Sequence, residues 1–452
     1  MAKIVGNIND WKGELERTIE LTLSCAKRAG AHSAIARLND SDEISVSVRA
    51  GEPTEQTMRR TSHLQLTLYG ANRQASVSSS DFSPKAIEAL VDRGMKIVDI
   101  AAEDPYVGLP DSTDYATEIV DLDLDHPWSL SIQDATDVAR RAEDEALSTS
   151  PYVLQTEGAT LSSHRLRQCL ATSDGFLQTQ ASTSHFISCT PIAIKDGCKE
   201  IDRWWSVMVH PEDLMSPQDI GRIAADRAVS RLGARKISTR SCPVLFEPLA
   251  AAALVRDFVA ATTARPLYTN ASYLAGALDS QCFAPHVSVT DDPFVRRGQG
   301  SRSYDDIGIA LRRRSIVENG FLRGYFLGLY GARRLGLPVS EHGSGPTNLT
   351  VSSALTRDED DFDRMLWHLG TGLVVSGLTG QGVNLMTGDF SRAAHGFWVE
   401  NGVIQYPVAG ITVASNLQRM FKALQAIGRD TLTQQGVTTG SWLVDDMRIG
   451  GV

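Results

Sequence analysis

The chain has 452 residues, of which 42% are hydrophobic, and this size and composition predict two domains with substantial cores. Its formal net charge of −10 argues against a general nucleic-acid-binding protein, because neutralising phosphates requires a basic surface. No run approaches the roughly 18–20 apolar residues that a membrane span needs, and the first residues lack the apolar core of a signal peptide. We expect a cytoplasmic protein that binds neither nucleic acid nor membrane.

The first half of the sequence begins with a predicted helix and two extended runs. Residues 11–29 have apolar positions at helical spacing and end at Gly30, a residue typical of helix ends. The runs 33–40 and 43–51 alternate apolar and polar residues, and the polar stretch 39–42 between them is typical of a turn.

Two later helices are predicted from the same dipeptide. Ser83 precedes Pro84 and Ser216 precedes Pro217, so each serine is placed to cap a helix whose first position is proline. A further helix is predicted over 131–147.

Alternating segments fill the space between these helices and predict antiparallel strands. They cover 63–70, 73–80 and several runs from about 152 to about 210. We therefore expect an α+β fold whose N-terminal domain, residues 1–236, mixes helices with antiparallel sheet. This domain is divisible into two lobes, about 1–120 and 121–236.

The second half, residues 237–452, predicts a β-rich domain. An apolar helix is expected over 249–264, followed by many short strands separated by glycines. The quartet Val-Glu-Asn-Gly occurs at 317–320 and again at 399–402, each time between alternating strands. Asn and Gly tolerate the positive φ of a type I′ turn, so both copies predict hairpins. Such a pattern favours a strongly curved or barrel-like domain.

The sequence contains no local signature of a metal site or of an activated nucleophile. The ten histidines are widely separated, no His-Glu-x-x-His motif occurs, and no Gly-x-Ser-x-Gly turn is present. The six cysteines are scattered and are expected to be reduced thiols.

The densest polar cluster lies at 387–402, around the second predicted hairpin. Its polar groups either satisfy the backbone of a glycine-rich loop or form the rim of a cavity that receives peptide backbone. The candidate chamber residues are Asp389, Ser391, Arg392, His395, Trp398 and Glu400. A hydrolase that acts by itself through three of them, Asp389, Arg392 and His395, is a further alternative.

The stretch "LGTGLVVSGLTGQGVNLMTGDFSRAAHGFWVENGVIQYPV", residues 369–408, resembles the TldD/PmbA family, specifically its PmbA (TldE) branch. The stretch "RRRSIVENGFLRGYFLG", residues 312–328, also agrees with this branch, and the resemblance is collinear from about residue 40 to the C-terminus. It implies a cytoplasmic heterodimeric metalloprotease that acts on short or unfolded polypeptides. The family pattern has a small residue at the place of His395, so this histidine departs from it.

The resemblance implies that a TldD-like partner carries the metal on a His-Glu-x-x-x-His helix and a downstream cysteine. The corresponding segment here is 242–264, with the histidine positions near Val255 and Ala260 and the glutamate position near Arg256. None of these three residues supplies an imidazole or a carboxylate. We expect no catalytic residue and no cofactor in this chain, and zinc or another divalent metal in the partner.

These expectations define a leading hypothesis and an alternative. In the first, the chain is the metal-free TldE-like subunit of a heterodimeric peptidase, homodimeric when alone, and shapes a chamber for extended substrate. In the second, it is a non-proteolytic homodimeric adaptor that regulates another protein.

Overall fold

The computed structural model describes residues 11–451. Helices account for 26% of the protein and strands for 40%, and both element types build each half of the molecule. The predicted α+β class with a barrel-like C-terminal region is confirmed. Within residues 11–451, no helix combines the length and the apolar character needed to cross a bilayer.

A single antiparallel sheet runs through the N-terminal region. Its strands are β1 (Ser33–Arg49), β2 (Glu52–Gly70), β3 (Arg73–Ser79), β4 (Val153–Thr172), β5 (Leu177–Lys195), β6 (Cys198–Ile201) and β7 (Trp204–Met208). Within the described residues, their order is β3-β2-β1-β4-β5-β6, and β7 also pairs with β5. The two long strands β1 and β4 are therefore neighbours at the centre of the sheet.

Helices cover this sheet in two pairs. They are α1 (Trp11–Arg28), α2 (Pro84–Ile100), α3 (Ile132–Thr149) and α4 (Pro217–Ser230). The first pair packs over one hydrophobic core and the second pair over another. The predicted serine caps are confirmed, because Ser83 accepts a hydrogen bond from Ala86 N at 3.4 Å and Ser216 accepts one from Asp219 N at 3.0 Å. The domain and lobe boundaries at residues 236 and 120 stay predictions.

The turn predicted at 39–42 is wrong, since β1 continues through it. Asp40 is only 3% exposed. Its carboxylate accepts hydrogen bonds from Arg60 at 3.0 and 2.8 Å and from Ser62 at 2.7 Å, and Arg167 Nε lies 2.9 Å away. These partners lie on neighbouring strands. They compensate the buried charge, so the polar stretch remains extended.

A buried carboxylate ties helix α3 to the β1–β2 turn. Glu143 is fully buried and accepts hydrogen bonds from Ala50 N and Gly51 N, both at 2.9 Å, and from the Thr156 hydroxyl. Ala50 and Gly51 have φ of 54° and 76°, the left-handed conformation of a tight hairpin turn. Glu143 therefore accepts hydrogen bonds from both backbone N–H groups of this turn.

The C-terminal region contains two further sheets. Its strands are β8 (Arg240–Phe246), β9 (Val287–Asp291), β10 (Arg314–Glu318), β11 (Phe321–Leu322), β12 (Leu349–Ser353), β13 (Gly372–Thr379), β14 (Asp389–Glu400), β15 (Val403–Asn416), β16 (Leu424–Ile427), β17 (Leu432–Gln434), β18 (Val437–Thr439) and β19 (Trp442–Gly450). In the described part of the chain, β15-β14-β13-β8-β19 closes into a five-strand barrel, because β15 also pairs with β19. The order β11-β10-β9-β12-β18-β17 forms a curled half-barrel.

The first helix of this region lies between the two sheets. The helices are α5 (Pro248–Ala261), α6 (Ala264–Tyr268), α7 (Gly328–Leu335), α8 (Phe362–Leu369) and α9 (Leu417–Lys422). Helix α5 contacts β8 and β13 of the barrel, and β17 and β18 of the half-barrel. Phe258 of α5 meets Phe283 edge-on at 5.1 Å between ring centroids, and Phe283 stacks on Phe421 at 4.5 Å. One continuous hydrophobic core therefore serves both sheets.

The two Val-Glu-Asn-Gly hairpins are confirmed. Asn319 and Gly320 have φ of 49° and 83°, and Asn401 and Gly402 have φ of 54° and 77°. These positive values are those that a type I′ turn requires at both central positions.

A cluster of charges joins helix α4 to the barrel. Arg227 of α4 lies 3.2 Å from Glu247, and Glu247 accepts a hydrogen bond from the Ser376 hydroxyl at 2.6 Å. Arg227 and Arg231 also lie 3.4 Å from Asp202. This half-buried network fixes the barrel against the N-terminal region.

His395 lies beside this network. Its ring packs against Gly377, where an added Cβ would come within 2.3 Å of the imidazole Cε1. The pKa of His395 is lowered to about 4, chiefly by burial and also by the charge of Arg231, while Asp202 opposes this shift and Arg227 adds to it. The imidazole is therefore neutral near pH 7.

Glu143→Gln is expected to destabilise the N-terminal region by about 2 kcal/mol, since a neutral amide cannot accept from all three donors that the carboxylate satisfies. Urea denaturation measures the effect. Asp144→Asn, at the exposed neighbouring position, serves as the control and should leave the unfolding midpoint unchanged. Equal midpoints for Glu143→Gln and the wild-type protein would contradict this role.

His395→Gln is expected to reduce the loss of stability in acid. The unfolded chain takes up a proton on this histidine near pH 6.5, before the folded protein does. The stability from the neutral imidazole is therefore present above about pH 6.5 and is lost as the pH falls towards 4.

In urea unfolding experiments, the free energy of unfolding of the wild-type protein should fall by about 2 kcal/mol between about pH 7 and about pH 4.5 because of this histidine. This part of the decrease should be absent from His395→Gln. His63→Gln, at an exposed histidine, should keep the wild-type dependence on pH. If the free energy of unfolding depends on pH in the same way in His395→Gln and in the wild-type protein, this explanation is excluded.

Candidate functional site

Helix α5 carries the three positions at which the resemblance implies a metal-binding motif. Val255 is only 1% exposed and belongs to the apolar core between the two sheets. Ala260 offers a methyl group, and Arg256 offers a permanent cation. Metal ions in such sites bind to imidazole, thiolate or carboxylate groups. These residues therefore do not fit a bound metal ion.

Among residues 11–451, no three His, Cys, Asp or Glu side chains lie together so that they could hold a metal ion.

An ion pair connects α5 to strand β14. Arg392 Nη2 lies 2.8 Å from Asp257 Oδ1, and the two side chains are 15% and 13% exposed. Asp257 Oδ2, Arg392 Nε and the hydroxyl of nearby Tyr273 are buried without a hydrogen-bond partner. Burial raises the pKa of Asp257, and the charge of Arg392 opposes this shift. The pair fixes the orientation of α5 relative to the barrel wall.

Arg256, the neighbour of Asp257 on α5, lines a cleft of about 390 Å³. The cleft lies between α5, the loop before β12 and the β17–β18 hairpin. Its lining includes Arg256, Val259, Gln299, Thr347, Leu349 and Gln435. Although much of Arg256 is exposed, its guanidinium is partly desolvated in the cleft, and this lowers its pKa. The charge of Arg392 lowers the pKa as well, whereas the charge of Asp257 raises it. Within residues 11–451, the Arg256 side chain has no hydrogen-bond or ion-pair partner.

Two of the predicted chamber residues are exposed at the start of β14. Asp389 accepts hydrogen bonds from the Thr387 hydroxyl at 2.7 Å and from Asn416 Nδ2 at 3.3 Å, and these bonds lower the pKa of its carboxyl group. Ser391 is exposed, and its backbone N–H donates to Gly382 O at 2.7 Å. Both arrangements stabilise the glycine-rich loop before the strand.

Trp398 and Glu400 lie at the other end of β14, and their side chains form a hydrogen bond with each other. The indole Nε1 donates to Glu400 Oε1 at 2.9 Å, and the guanidinium of Arg240 lies 4.8 Å from the indole ring centroid. Trp398 itself is only 5% exposed.

The six predicted residues do not form one cluster. Side chains alternate between the two faces of β14, so Arg392 turns towards α5 while His395 turns towards α4. Within the described chain, no hydrogen bond or ion pair joins Asp389, Arg392 and His395 to one another. Their contacts therefore do not support a catalytic triad, and a role in a substrate chamber stays a prediction.

Arg256, Asp257 and Tyr273 were not predicted from the sequence to be members of a site. The signal that points to the first two is their position as adjacent charges in the otherwise apolar segment "ALVRDFVAA", residues 253–261. Such charges need a buried partner or an opening to solvent. Asp257 is paired with Arg392, and Arg256 is exposed to solvent in the cleft.

A larger surface groove of about 750 Å³ lies elsewhere, near α8. It contains His368 and Asp360, whose nearest polar atoms are 3.4 Å apart. None of the predicted chamber residues lines it.

Solved structures share this fold over nearly its whole length. A proposed modulator of DNA gyrase from Bacteroides thetaiotaomicron superposes with a TM-score of 0.91 at 24% identity, covering 97% of this chain and 99% of that chain. TldE from Thermococcus kodakarensis superposes with a TM-score of 0.84 at 15% identity, covering 96% and 100% of the two chains. At these identities the similarity shows the fold alone.

Relatives found by sequence share a higher sequence identity with this chain than these solved structures do. Metalloprotease PmbA of Escherichia coli O157:H7 is 35% identical, covering 99% of both chains. The Metalloprotease PmbA homolog of Haemophilus influenzae is 34% identical, covering 97% of this chain and 96% of the relative. Three domain patterns of the PmbA/TldA metallopeptidases match in order, namely domain 1 at 34–98, the central domain at 125–232 and the C-terminal domain at 239–451. The chain therefore belongs to the PmbA/TldD family of metallopeptidases.

Proposed function

We propose that this chain is the metal-free, TldE-like subunit of a two-protein cytoplasmic metallopeptidase. Peptide-bond cleavage would then take place at zinc or another divalent metal held by a TldD-like partner. The observation that carries the proposal is the chemistry of α5, which has Val255, Arg256 and Ala260 at the positions of two metal ligands and a general base.

Two physical reasons support this assignment. Val255 is part of a close-packed core, so no metal-binding side chain can occupy its position without burying a polar ring in apolar surroundings. Arg256 would place a positive charge where a metal-bound water needs a carboxylate to accept its proton. The same helix that carries catalysis in the partner thus has a structural role here.

The proposed contribution of this chain is to shape the chamber that receives short or unfolded polypeptides. The half-barrel ends at strand β17, whose outer edge has no neighbour in the sheet among the described residues. An extended peptide can pair with such an edge through main-chain hydrogen bonds, whatever its sequence. Such pairing suits a peptidase that acts on unfolded chains rather than on one folded target. The isolated chain would form a homodimer.

Co-expression with a TldD-like chain from the same organism tests the proposal. The two chains should co-purify and cleave unfolded casein, while this chain alone should leave casein intact. Replacing the partner's metal-binding histidines by alanine should abolish cleavage by the pair, because no cluster of ligands in residues 11–451 of this chain could hold the metal instead. The rate of peptide release measures the outcome.

The partner carrying these substitutions is the matched control, because it tests whether assembly alone produces any cleavage. Casein cleavage by this purified chain, at the rate of the pair and with stoichiometric zinc, would contradict the proposal. Cleavage by the pair that survives loss of the partner's histidines would contradict it as well.

A non-proteolytic homodimeric adaptor is the second candidate. One observation favours it: the Bacteroides thetaiotaomicron protein with the same fold is described as a proposed modulator of DNA gyrase. The adaptor assignment expects a homodimer that retains a topoisomerase on affinity purification and does not associate with a TldD-like chain. Co-purification with an active peptidase partner decides against it.

A further inference from the structure

The cleft beside Arg256 contains an uncompensated positive charge. The neighbouring carboxylate of Asp257 already pairs with Arg392 at 2.8 Å, so these three side chains together carry a net charge of +1. None of the described residues that line the cleft is acidic. In a protein whose overall net charge is −10, this local excess of positive charge marks a place for an anionic ligand.

The walls of the cleft are held in place by the surrounding structure. The backbone N–H and the hydroxyl of Thr347 donate to the buried Asp291 carboxylate at 2.8 and 2.6 Å. The side-chain amide of Gln299 donates to Val207 O in the N-terminal region. Gly300 approaches the Thr347 backbone so closely that an added Cβ would lie 2.0 Å from its carbonyl oxygen. A ligand therefore meets a preformed cleft, which reduces the entropic cost of binding.

We propose that this cleft binds the carboxylate group of a peptide substrate through Arg256. The inference rests on the proposed function, since it assigns a feature of the substrate to a chain that shapes the peptidase chamber. It concerns a side chain that the metal-dependent chemistry of the partner does not use.

The chemistry of the guanidinium group suits this ligand. Its planar fork can donate two parallel hydrogen bonds to the two oxygens of a carboxylate. The apolar side chains of Val259 and Leu349 line the same cleft and reduce the local polarity, which strengthens the attraction between the charges. The carboxylate belongs either to the C-terminus of the peptide or to an aspartate or glutamate side chain.

Isothermal titration calorimetry with the full-length chain tests the proposal. Two N-acetylated hexapeptides of alanine and serine, identical except for a C-terminal carboxylate or carboxamide, serve as probes. The free acid should bind about tenfold more tightly than the amide, because only the acid forms a charge-assisted pair with Arg256. Arg256→Gln should remove this difference, and Arg256→Lys should retain part of it.

Arg265→Gln is the matched control, since Arg265 is an exposed arginine of the next helix that does not line the cleft. This variant should keep the tenfold preference. A third peptide, amidated but with one internal glutamate, distinguishes the two sources of the carboxylate. Binding of this peptide that depends on Arg256 assigns the site to acidic side chains as well as to the C-terminus.

Equal affinities for the acid and the amide in the wild-type protein, together with no Arg256-dependent binding of the glutamate peptide, would overturn the proposal. Unchanged affinity for the acid in Arg256→Gln would overturn it too. Thermal unfolding of each variant verifies that the fold is intact. Because the titration requires neither the partner nor cleavage, its failure leaves the co-expression result unaffected, and the two proposals can fail separately.

Discussion

The burial of helix α5 between the barrel and the half-barrel is the constraint on which the C-terminal region depends. The helix follows β8 directly, and its apolar side chains fill the core that both sheets share. Phe258 packs there against Phe283, and Val255 is almost fully buried. Since protein cores are close-packed, such positions are determined by volume and apolarity. The composition of this helix is therefore that of a structural element of the core.

The local elements of this fold could be predicted from the sequence, because their causes lie within a few residues. Ser83 and Ser216 cap helices through amides three residues away, and the two Asn-Gly pairs form turns by their own backbone preference. The continuation of β1 through 39–42 could not be predicted, because it depends on arginines of other strands. Closure of the barrel depends on the pairing of β15 with β19, which no local pattern determines.

The candidate site was less accessible to prediction for a similar reason. The polar residues of 387–402 are close in sequence, yet strand alternation sends Arg392 and His395 to opposite faces. Arg392 finds its partner 135 positions away, at Asp257. The two adjacent charged residues of α5 therefore have separate roles: Asp257 orients the helix through its ion pair, and Arg256 lines a cleft. Tertiary contacts, rather than proximity in sequence, decide which polar groups act together.

In the proposed two-protein peptidase, this chain contributes no metal ligand. Anomalous diffraction from crystals of the chain bound to its TldD-like partner, recorded on both sides of the zinc absorption edge, tests it most directly. We expect anomalous peaks within the partner alone. A peak coordinated by side chains of this polypeptide, at α5 or beside the segment 387–402, would show that the proposed division of roles is wrong.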